Sequence, residues 1–388
     1  MKTKISILGS TGSIGSSAVS LLENELKNSF EVDAISFHFN AKLALKQAIS
    51  LNVKKIIATS KEGFSEIQKL ASGLKVEILF GKEALKGVCQ NPETEVVLLA
   101  IVGVCGLEFA LESILGQEKR ILAIANKESI ICGYHLISEK LKNSNTKIIP
   151  VDSEHNSLFR LLKNFQPESI KNVFITASGG PFVGRKFHTL KDVSIAEVVK
   201  HPTWNMGSKI SVDSATMANK GLELIESHNL FNLENCNIEA FIAKGSLLHA
   251  GLNLKDGSSI WFLSNPDMRN HIAHAISNEA IFSLNIPEIK PTKLEFATLE
   301  KDEFPIFFIA KDIAERKDTK LAISFNILNE IAVAKFLKSE IKYTEILDII
   351  ENYLTFNPEN FHYNSIHEIE ELFSILEEKL TQRKLKAA

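Results

Sequence analysis

The feature that most constrains the fold is an alternation of apolar runs and helical stretches over the first 150 residues. Seven runs rich in β-type residues are separated by segments of helical periodicity: KISIL, EVDAISF, KIIAT, VEILF, EVVLLAIVG, RILAIA and KIIPVD. Strands that are apolar along their whole length are buried on both faces. The pattern therefore predicts an α/β arrangement with a mostly parallel sheet covered by helices on both sides.

The pattern changes after residue 150. Strand-like segments alternate there with loops rich in Gly, Ser, Asn and Pro, which predicts a central α+β catalytic domain: NVFITASGG, IEAFIA and SIWFLS. The stretch NIPEIKPTKLEF has two prolines and little helical period, so it predicts an extended linker. Later apolar residues recur at helical spacing, which indicates a C-terminal helical bundle. We expect the divisions 1–150, 151–284, 285–305 (the linker) and 306–388.

Composition excludes several classes of function. The 388 residues carry a formal net charge of −3, which argues against nucleic acid as the main ligand, because binding a phosphate backbone requires a basic excess. The four cysteines form no C-x-x-C pair, as is typical of reduced thiols in the cytoplasm. The apolar run 96–106 is too short to span a bilayer, and the N-terminus lacks a signal-peptide pattern. We expect a cytoplasmic protein without a membrane or nucleic-acid partner.

A glycine-rich turn follows the first predicted strand. The stretch ILGSTGSIGSSAV places Gly9, Gly12 and Gly15 between that strand and the next helix. In this context backbone N–H groups can approach a pyrophosphate, whose charge faces the helix N-terminus. The spacing is G-x-x-G-x-x-G and not G-x-G-x-x-G, and a tight turn without a ligand is the alternative. We predict a Rossmann-like domain with a dinucleotide site at Thr11, Gly12, Ser13 and Ile14.

The end of the second strand distinguishes the two nicotinamide coenzymes, because an acid there accepts the ribose hydroxyls of NAD. Here the strand leads into SFHFNAK, which offers His38, Phe39 and Asn40 but no acid. The loop also lacks an arginine for a 2′-phosphate. The absence of the acid nevertheless favours NADP(H).

Two carboxylates follow the seventh predicted strand. In PVDSEHNSLF, Asp152 and Glu154 flank Ser153. In an extended chain residues i and i+2 point to the same face, so the two carboxylates would converge and require a cation. One interpretation is a divalent metal site that needs a third protein ligand. The other is a solvated strand end, or a helix N-terminus capped by Asp152.

The segment KISVDSATMANKGLELIESH offers candidates for the third ligand. On a helix over residues 214–227, one arc of about 120° contains four polar side chains: Asn219, Lys220, Glu223 and Glu226. A solvated helix face explains such a stripe. Amide, ammonium and carboxylate groups side by side also suit a phosphate next to a metal. Spacing alone leaves Glu223 and Glu226 as alternatives.

Three further loops carry groups suited to ligand binding. The sixth strand ends in AIANKES, which places Lys127 where ligands of open α/β sheets bind, although a surface loop is the alternative. The loops ASGGPF, 177–182, and HPTWNMGSK, 201–209, leave backbone and hydroxyl groups accessible. Trp204 with Met206 indicates an apolar flap that closes over a ligand. A tryptophan that anchors the loop to the core is the alternative.

Together these residues resemble one known family, the 1-deoxy-D-xylulose 5-phosphate reductoisomerases. The resemblance covers nearly the whole chain through motifs in the same order: GSTGSIG, ANKES, VDSEHN, ASGGPF, HPTWNMGSKISVDSATMANKGLE, NPDMR and LNEIAVAKFL. The segment from His201 to Glu223 is the most specific of them. The resemblance implies an NADPH-dependent and Mn²⁺- or Mg²⁺-dependent homodimeric oxidoreductase of isoprenoid biosynthesis. Its reaction would rearrange and reduce 1-deoxy-D-xylulose 5-phosphate to 2-C-methyl-D-erythritol 4-phosphate.

The resemblance also implies roles for individual residues. The implied metal ligands are Asp152, Glu154 and Glu223, with Glu226 left as solvated surface. The implied phosphate site comprises Ser178, Ser214, Asn219 and Lys220. The carbon skeleton would meet Lys127, Ser153 and His201, with Trp204 in the flap, and the implied catalytic residues are Lys127, Glu154 and His201. Further coenzyme contacts would come from His38, Asn40, Ala100, Ile101, Asn126, Glu128, Met206 and Gly207.

Two stretches depart from the pattern of that family. The loop after the second strand usually has a glycine and a basic residue before its asparagine, where this chain has His38 and Phe39. The frequent His-Pro-Gln-Ser is AKGS here, at residues 243–246. The first departure predicts a narrower preference for NADPH over NADH than the resemblance alone implies.

Overall fold

The computed structural model describes residues 2–204, 206–231, 233, 236–290, 293–356, 358 and 362–387. Strands and helices alternate through the first 162 residues: β1 (Thr3–Leu8), α1 (Ser13–Glu23), β2 (Phe30–Phe37), α2 (Ala41–Ser50), β3 (Lys55–Ala58), α3 (Lys61–Leu70), β4 (Glu77–Phe80), α4 (Gly81–Cys89), β5 (Val96–Leu99), α5 (Gly106–Glu112), β6 (Arg120–Ile124), α6 (Lys127–Leu141), β7 (Thr146–Pro150) and α7 (Ser153–Leu162). All seven predicted strands are present.

The remainder of the chain is mixed and then helical. Its elements are β8 (Ile170–Ala177), α8 (Ile195–Val198), α9 (Ser208–Ala215), α10 (Ala218–Leu230), β9 (Asn237–Ala243), β10 (Leu248–Leu254), β11 (Ser259–Leu263), α11 (Met268–Ile276), β12 (Phe296–Ala297), α12 (Pro305–Arg316), α13 (Thr319–Leu337), α14 (Glu345–Tyr353) and α15 (Ile366–Ala387). Pro291 and Thr292 of the predicted linker lie outside the described residues.

The chain divides into two compact units, each assembled from three segments. The first unit contains Met1–Ser129, His135–Asn156 and Asp267–Glu288. The second contains Ile130–Tyr134, Ser157–Pro266 and Ile289–Ala388. The predicted divisions at residues 150, 284 and 305 stay proposals.

The first unit is built on a sheet whose seven strands all run parallel, in the order β4-β3-β2-β1-β5-β6-β7. This confirms the predicted Rossmann-like sheet. Strand β5 is buried at every position, as its unbroken apolar run indicates. The strand order reverses between β1 and β5. Ligands of open α/β sheets bind outside the carboxyl ends of the strands at such a switch point, so the residues after β1 and β5 mark the expected site.

The second unit contains a five-stranded sheet in the order β11-β10-β8-β9-β12. Strands β8 and β9 are parallel, and the other neighbours are antiparallel. The sequence did not predict β10, whose LHAGLNL is interrupted by polar residues and Gly251. A Cβ on Gly251 would lie 2.1 Å from the ring of Phe174 on β8, so this glycine makes room for the ring.

The last four helices confirm the predicted helical bundle. Helix α13 is buried along most of its length and packs against α12, α14 and α15. Helix α14 buries Ile346, Ile349 and Ile350, which share one face of a helix. Within the described residues, no helix combines the length and apolar character needed to cross a membrane.

Candidate active site

The glycine-rich turn lies at the switch point of the parallel sheet. Gly9 has φ +90, and a Cβ at this position would lie 2.6 Å from the carbonyl oxygen of Ala100, the residue after β5. A Cβ on Gly15 would lie 2.2 Å from the carbonyl oxygen of Gly9. Both positions therefore require glycine for close backbone approach. The turn brings the predicted coenzyme contacts after β1 next to those after β5.

The N-terminus of α1 is open to a ligand. Its N-cap is Gly12, and among the described residues no side chain caps this end or places an acid in its first turn. Gly12 and Ser13 are exposed, and Thr11 and Ile14 are half-buried. Unsatisfied N–H groups and the positive end of the helix dipole favour an anion at this point.

The loop after β2 contains His38 and Phe39, which differ from the usual sequence of the family that the chain resembles. Nδ1 of His38 lies 2.8 Å from the hydroxyl of Thr59, which follows β3, and Phe39 is 66% exposed. The side chain of Asn40 caps α2 by accepting from the backbone N–H of Leu43 at 3.1 Å. The carboxyl end of β2 thus offers a histidine, a hydroxyl and an amide. The sequence analysis did not select Thr59 as a candidate residue, because no motif around it indicated ligand binding.

Asn126 joins the loops after β5 and β6. Its amide nitrogen donates to the carbonyl oxygens of Ile101 at 2.7 Å and Gly103 at 2.9 Å, while its side-chain oxygen accepts from the N–H of Ser129 at 2.7 Å. Glu128 is buried and lies 3.1 Å from the same amide nitrogen. In this structure Asn126 therefore holds the loop that carries Ile101, and a direct coenzyme contact from Asn126 or Glu128 stays a prediction.

Asp152 and Glu154 stand at the start of a helix and not on an extended strand. The carbonyl of Asp152 accepts from Asn156 N at 2.8 Å, and Oδ1 of Asp152 accepts from Glu154 N at 3.2 Å. The expectation that both carboxylates converge along a strand was wrong in its local geometry, because helix α7 begins at Ser153. The backbone agrees instead with the alternative prediction, in which Asp152 caps the N-terminus of the helix.

Three side chains bond these two carboxylates inside the first unit. Lys127 Nζ lies 3.1 Å from Oδ2 of Asp152, and Nδ1 of His155 lies 3.2 Å from Oδ1. The hydroxyl of Ser153 donates to Oε2 of Glu154 at 2.7 Å. The i,i+3 spacing between Asp152 and His155 on a helix could have indicated the histidine contact, which the sequence reasoning did not draw. The structure thus brings Lys127, Ser153 and both carboxylates together.

In the second unit, Glu223 is the centre of a buried polar group. Asn219 and Lys220, one turn earlier on α10, both donate to its carboxylate. Glu223 is 1% exposed and Lys220 is 4% exposed. A buried carboxylate requires a cation or several donors, and Lys220 supplies the charge.

Two expectations about this helix were wrong. The predicted single helix over 214–227 is two helices, α9 and α10, separated by Met217 with φ +60. Ser214 therefore lies on α9. Glu226 is 2% exposed and not solvated surface, because α10 is covered on all sides and not amphipathic. The charged residues at helical spacing had indicated a solvent-exposed helix face, but the surrounding elements cover this face.

Two hydroxyl-bearing loops approach each other in the second unit. Gly180 has φ +66, and a Cβ there would lie 2.9 Å from the carbonyl oxygen of Ser214. On the same loop Oγ of Ser178 lies 2.8 Å from Nε2 of His201. Ser178, His201 and the α9 end with Ser214 are therefore neighbours, which supports treating them as one binding surface.

His201 organises the loop with Trp204. The backbone N–H groups of Thr203 and Trp204 donate to Nδ1 of His201 at 3.1 and 2.9 Å. Nδ1 is therefore an acceptor, and the neutral ring carries its proton on Nε2, which donates to Ser178. Burial lowers the pKa of His201, which favours the neutral ring. The Trp204 ring lies 6.4 Å from that of His249. The predicted coenzyme contacts Met206 and Gly207 follow, and Gly207 is the N-cap of α9.

The sheet, its glycine turn and the open helix end define a dinucleotide-binding α/β protein. Comparison with known families narrows this class. The model for 1-deoxy-D-xylulose 5-phosphate reductoisomerase matches residues 5–133, and two models for C-terminal domains of the same enzyme match residues 148–231 and 263–382. The chain belongs to the 1-deoxy-D-xylulose 5-phosphate reductoisomerase family.

Curated relatives with this name include proteins of Wolbachia sp. subsp. Drosophila simulans (strain wRi) and Francisella tularensis subsp. novicida (strain U112). Each is 36% identical and covers 96% of this chain, with 94% and 96% of the relatives' own lengths. The solved structure of the Zymomonas mobilis enzyme with NADPH has a TM-score of 0.86 at 29% identity and covers 97% of both chains. Another, a DOX-P reductoisomerase with NADPH, fosmidomycin and magnesium, has a TM-score of 0.90 at 30% identity and covers 99% of this chain and 98% of its own.

Proposed function

We propose that this protein converts 1-deoxy-D-xylulose 5-phosphate to 2-C-methyl-D-erythritol 4-phosphate, with NADPH as reductant and a divalent metal ion, in the methylerythritol phosphate route to isoprenoids. The observation that carries the proposal is the match to named relatives over 376 residues, 96% of the chain. A shared fold alone would not carry it, because dinucleotide-binding sheets serve many reactions. The activity rests on the site residues as well.

The metal ligands in this proposal are Asp152, Glu154 and Glu223. The three residues lie in VDSEHN and MANKGLE, two of the motifs that the chain shares with this family. All three are carboxylates, and oxygen donors of this kind suit Mg²⁺ or Mn²⁺. A bound ion supplies Lewis-acid stabilisation of negative charge on substrate oxygens. A solved relative, a DOX-P reductoisomerase in complex with magnesium, supports the choice of metal.

The substrate phosphate, in this proposal, binds to Lys220 and Asn219 on α10, Ser214 on α9 and Ser178 after β8. The support is chemical: one buried ammonium, an amide and two hydroxyls are donors that suit phosphate oxygens. Lys220 already donates to Glu223, so it can serve two anions with different protons of its ammonium group. Binding this remote group holds the reacting carbons in place.

The carbon skeleton, in this proposal, meets Lys127, Ser153 and His201, and Glu154 contacts it besides binding the metal. Lys127 is 7% exposed and bonded to Asp152, so its position is fixed before substrate binds. Neutral His201 donates from Nε2, which suits a hydroxyl or phosphate oxygen. Trp204 closes over the bound substrate as a flap and excludes water. Lys127, Glu154 and His201 are the residues we propose as catalytic.

The coenzyme, in this proposal, lies across the switch point of the sheet. Its pyrophosphate meets the N-terminus of α1, and its adenosine ribose lies near the carboxyl end of β2. The proposed contacts are those named from the sequence: Thr11, Gly12, Ser13, Ile14, His38, Asn40, Ala100, Ile101, Asn126, Glu128, Met206 and Gly207. Two solved relatives in complex with NADPH support the choice of coenzyme.

The test is oxidation of NADPH, followed by its absorbance, in the presence of 1-deoxy-D-xylulose 5-phosphate, with and without Mn²⁺ or Mg²⁺. We expect turnover that requires both the sugar phosphate and the metal, and that fosmidomycin inhibits. Turnover of a plain 2-hydroxy acid in its place would identify a different dehydrogenase. Metal-independent oxidation would contradict the carboxylate assignment.

We further propose that the protein acts as a cytoplasmic homodimer. An exposed aromatic group on the second sheet supports self-association, since the rings of Trp261 and Phe296 lie 5.4 Å apart and are 40% and 46% exposed. Sedimentation velocity at several protein concentrations tests this proposal. A single species of the mass of one chain at all concentrations would contradict it.

A further inference from the structure

The loop after β2 supports an inference about how this chain selects its coenzyme, which rests on the proposed function. Thr59 Oγ1 lies 3.1 Å from the carbonyl oxygen of Phe37 and 2.8 Å from Nδ1 of His38. A hydroxyl has one proton, and a carbonyl oxygen can only accept. Thr59 therefore donates to Phe37 and accepts from His38, so the neutral ring of His38 carries its proton on Nδ1.

The other ring nitrogen of His38 then has a defined chemistry. Nε2 has no hydrogen-bond partner among the described residues, and His38 is exposed. In the neutral ring Nε2 is an acceptor, which can accept a hydrogen bond from a ribose hydroxyl but cannot donate one to a phosphate. Protonation makes Nε2 a charged donor, which suits the 2′-phosphate of NADPH.

The ring lies among elements whose other ionisable groups are few. The first turn of α2 carries Lys42, and the first turn of α3 carries Lys61 and Glu62, while the ends of β2 and β3 beside His38 carry only Ser, Phe, Ile, Ala and Thr. The side-chain oxygen of Asn40 is occupied as the cap of α2, which leaves its amide nitrogen as a neutral donor. Of the residue types around this loop, histidine is the one whose charge changes near neutral pH.

We propose that His38, oriented by Thr59, binds the 2′-phosphate of NADPH as an imidazolium. Binding of NADPH then takes up a proton from solvent onto Nε2. Binding of NADH leaves the ring neutral, and Nε2 accepts a hydrogen bond from the ribose hydroxyl. Thr59 is a positioning residue in this scheme. The preference for NADPH therefore weakens as the pH rises, which a permanently charged lysine or arginine at this place would prevent.

The experiment is calorimetric titration of the full chain with NADPH and with NADH at pH 7.5, in buffers of different ionisation enthalpy. The dependence of the heat on the buffer gives the number of protons taken up. We expect NADPH to take up between roughly half a proton and one proton more than NADH. The 2′-phosphate titrates near pH 6 itself, so His38→Gln supplies the baseline, and this variant should lose the extra uptake.

Two pairs of variants separate orientation from charge. Thr59→Val removes the acceptor for Nδ1 and should lower the ratio of NADPH to NADH affinity by about tenfold, the effect of one charge-assisted hydrogen bond. Thr59→Ser keeps the hydroxyl and should stay close to the parent protein. In His38→Lys the affinity ratio should change by less than about twofold between pH 6.5 and pH 8.5, the remaining change coming from the phosphate itself, whereas in the parent protein it should fall several-fold over this range.

The outcomes separate this inference from the function on which it rests. Tight NADPH binding with equal proton uptake in the parent protein and in His38→Gln would overturn the inference alone. Thr59→Val and Thr59→Ser with equal affinity ratios would also overturn it. Failure of both coenzymes to bind would overturn the proposed function and this inference with it.

Discussion

At the scale of single residues, Glu223 is a carboxylate whose buried charge is balanced within its own helix. Lys220 and Asn219 donate to it, and a buried pair that loses one partner leaves an uncompensated charge. Glu226 lies less than one turn further along and is equally buried. Exposure therefore does not distinguish the two glutamates, and the difference between them lies in the proposed role of Glu223 as a metal ligand.

This difference gives the first prediction. Glu223→Gln keeps the side-chain volume and removes one anionic ligand. The Mg²⁺ affinity should therefore fall by about tenfold to a hundredfold, and the turnover rate should fall with it. Glu226→Gln should leave Mg²⁺ affinity within about twofold, while thermal unfolding reports its effect on stability, on the order of 1–3 kcal/mol. Equal losses of metal affinity in the two variants, measured by calorimetry, would contradict the assignment.

His201 gives a prediction about pH. Burial lowers its pKa in the folded protein, and its neutral Nδ1 accepts from Thr203 and Trp204. The folded state therefore resists protonation relative to the unfolded chain. The contribution of neutral His201 to stability is fully present above the ordinary histidine pKa and is lost as the pH falls from there through the lowered pKa of the folded protein.

The measurement is the fluorescence of Trp204 between pH 8 and pH 5 in a Trp261→Phe background. We expect a transition on the acid side of the ordinary histidine range, as protonation removes the acceptor for two backbone N–H groups. In His201→Asn, which has no titrating group at this position, the transition should be absent. An identical transition in this variant would show that another group controls the loop.

At the scale of elements, α10 and α12 approach each other closely at Gly221. A Cβ on Gly221 would lie 2.4 Å from the Cβ of Ala310 on α12. Helix backbones can come this close only where one partner lacks a side chain. Gly221 lies on the helix turn between Asn219 and Glu223, so this contact fixes the positions of the Asn219 and Glu223 side chains relative to α12.

The close contact predicts an effect of Gly221→Ala that is opposite to the one expected from helix propensity. Alanine is favoured over glycine inside helices by about 1 kcal/mol, yet Gly221→Ala should lower the unfolding temperature because overpacking costs about 1–3 kcal/mol. The matched control is Gly87→Ala on α4, where a Cβ meets nothing within 4 Å and the melting temperature should hold or rise. Ala310→Gly in the Gly221→Ala background should recover part of the loss. Equal effects at both glycines would refute the close-packing argument.

The elements also show how far sequence reasoning reached. The seven strands of the first unit were predictable because each is a mainly apolar run of β-type residues. The assignment of Asp152, Glu154 and Glu223 as metal ligands rests on specific motifs and stays a proposal. Strand β10 was missed because Gly251 and polar residues break its pattern. The left-handed turn at Met217 and the burial of Glu226 depend on tertiary packing, which local periodicity does not encode.

At the scale of the whole molecule, the first unit depends on a segment more than a hundred residues away in sequence. Helix α11 packs against α1, and Arg269 near its start lies 3.5 Å from Glu25. Two of its histidines bond the side chain of Asn156, with His274 at 3.0 Å and His271 at 3.3 Å. These bonds are buried within the unit, so the unit is incomplete without α11.

A truncation tests this dependence. A fragment of residues 1–156 should lack a cooperative thermal transition and bind NADPH weakly, because the α1 surface that α11 covers is exposed. The same fragment joined through a flexible linker to residues 267–288 should regain both properties. Circular dichroism and coenzyme titration provide the readouts, and a fragment that folds without α11 would contradict the prediction.

The return of α11 to the coenzyme unit also limits how genes of this family can be recombined. A single crossover anywhere in the stretch encoding residues 157–266 gives the chimera a first unit with its whole seven-stranded sheet from one parent and α11 from the other. Such chimeras should survive only where both parents match at the pairs that join α11 to α1 and to Asn156. Proteins with domains in tandem can exchange a nucleotide-binding domain as one continuous segment. This chain cannot, because its first unit is assembled from three separate segments.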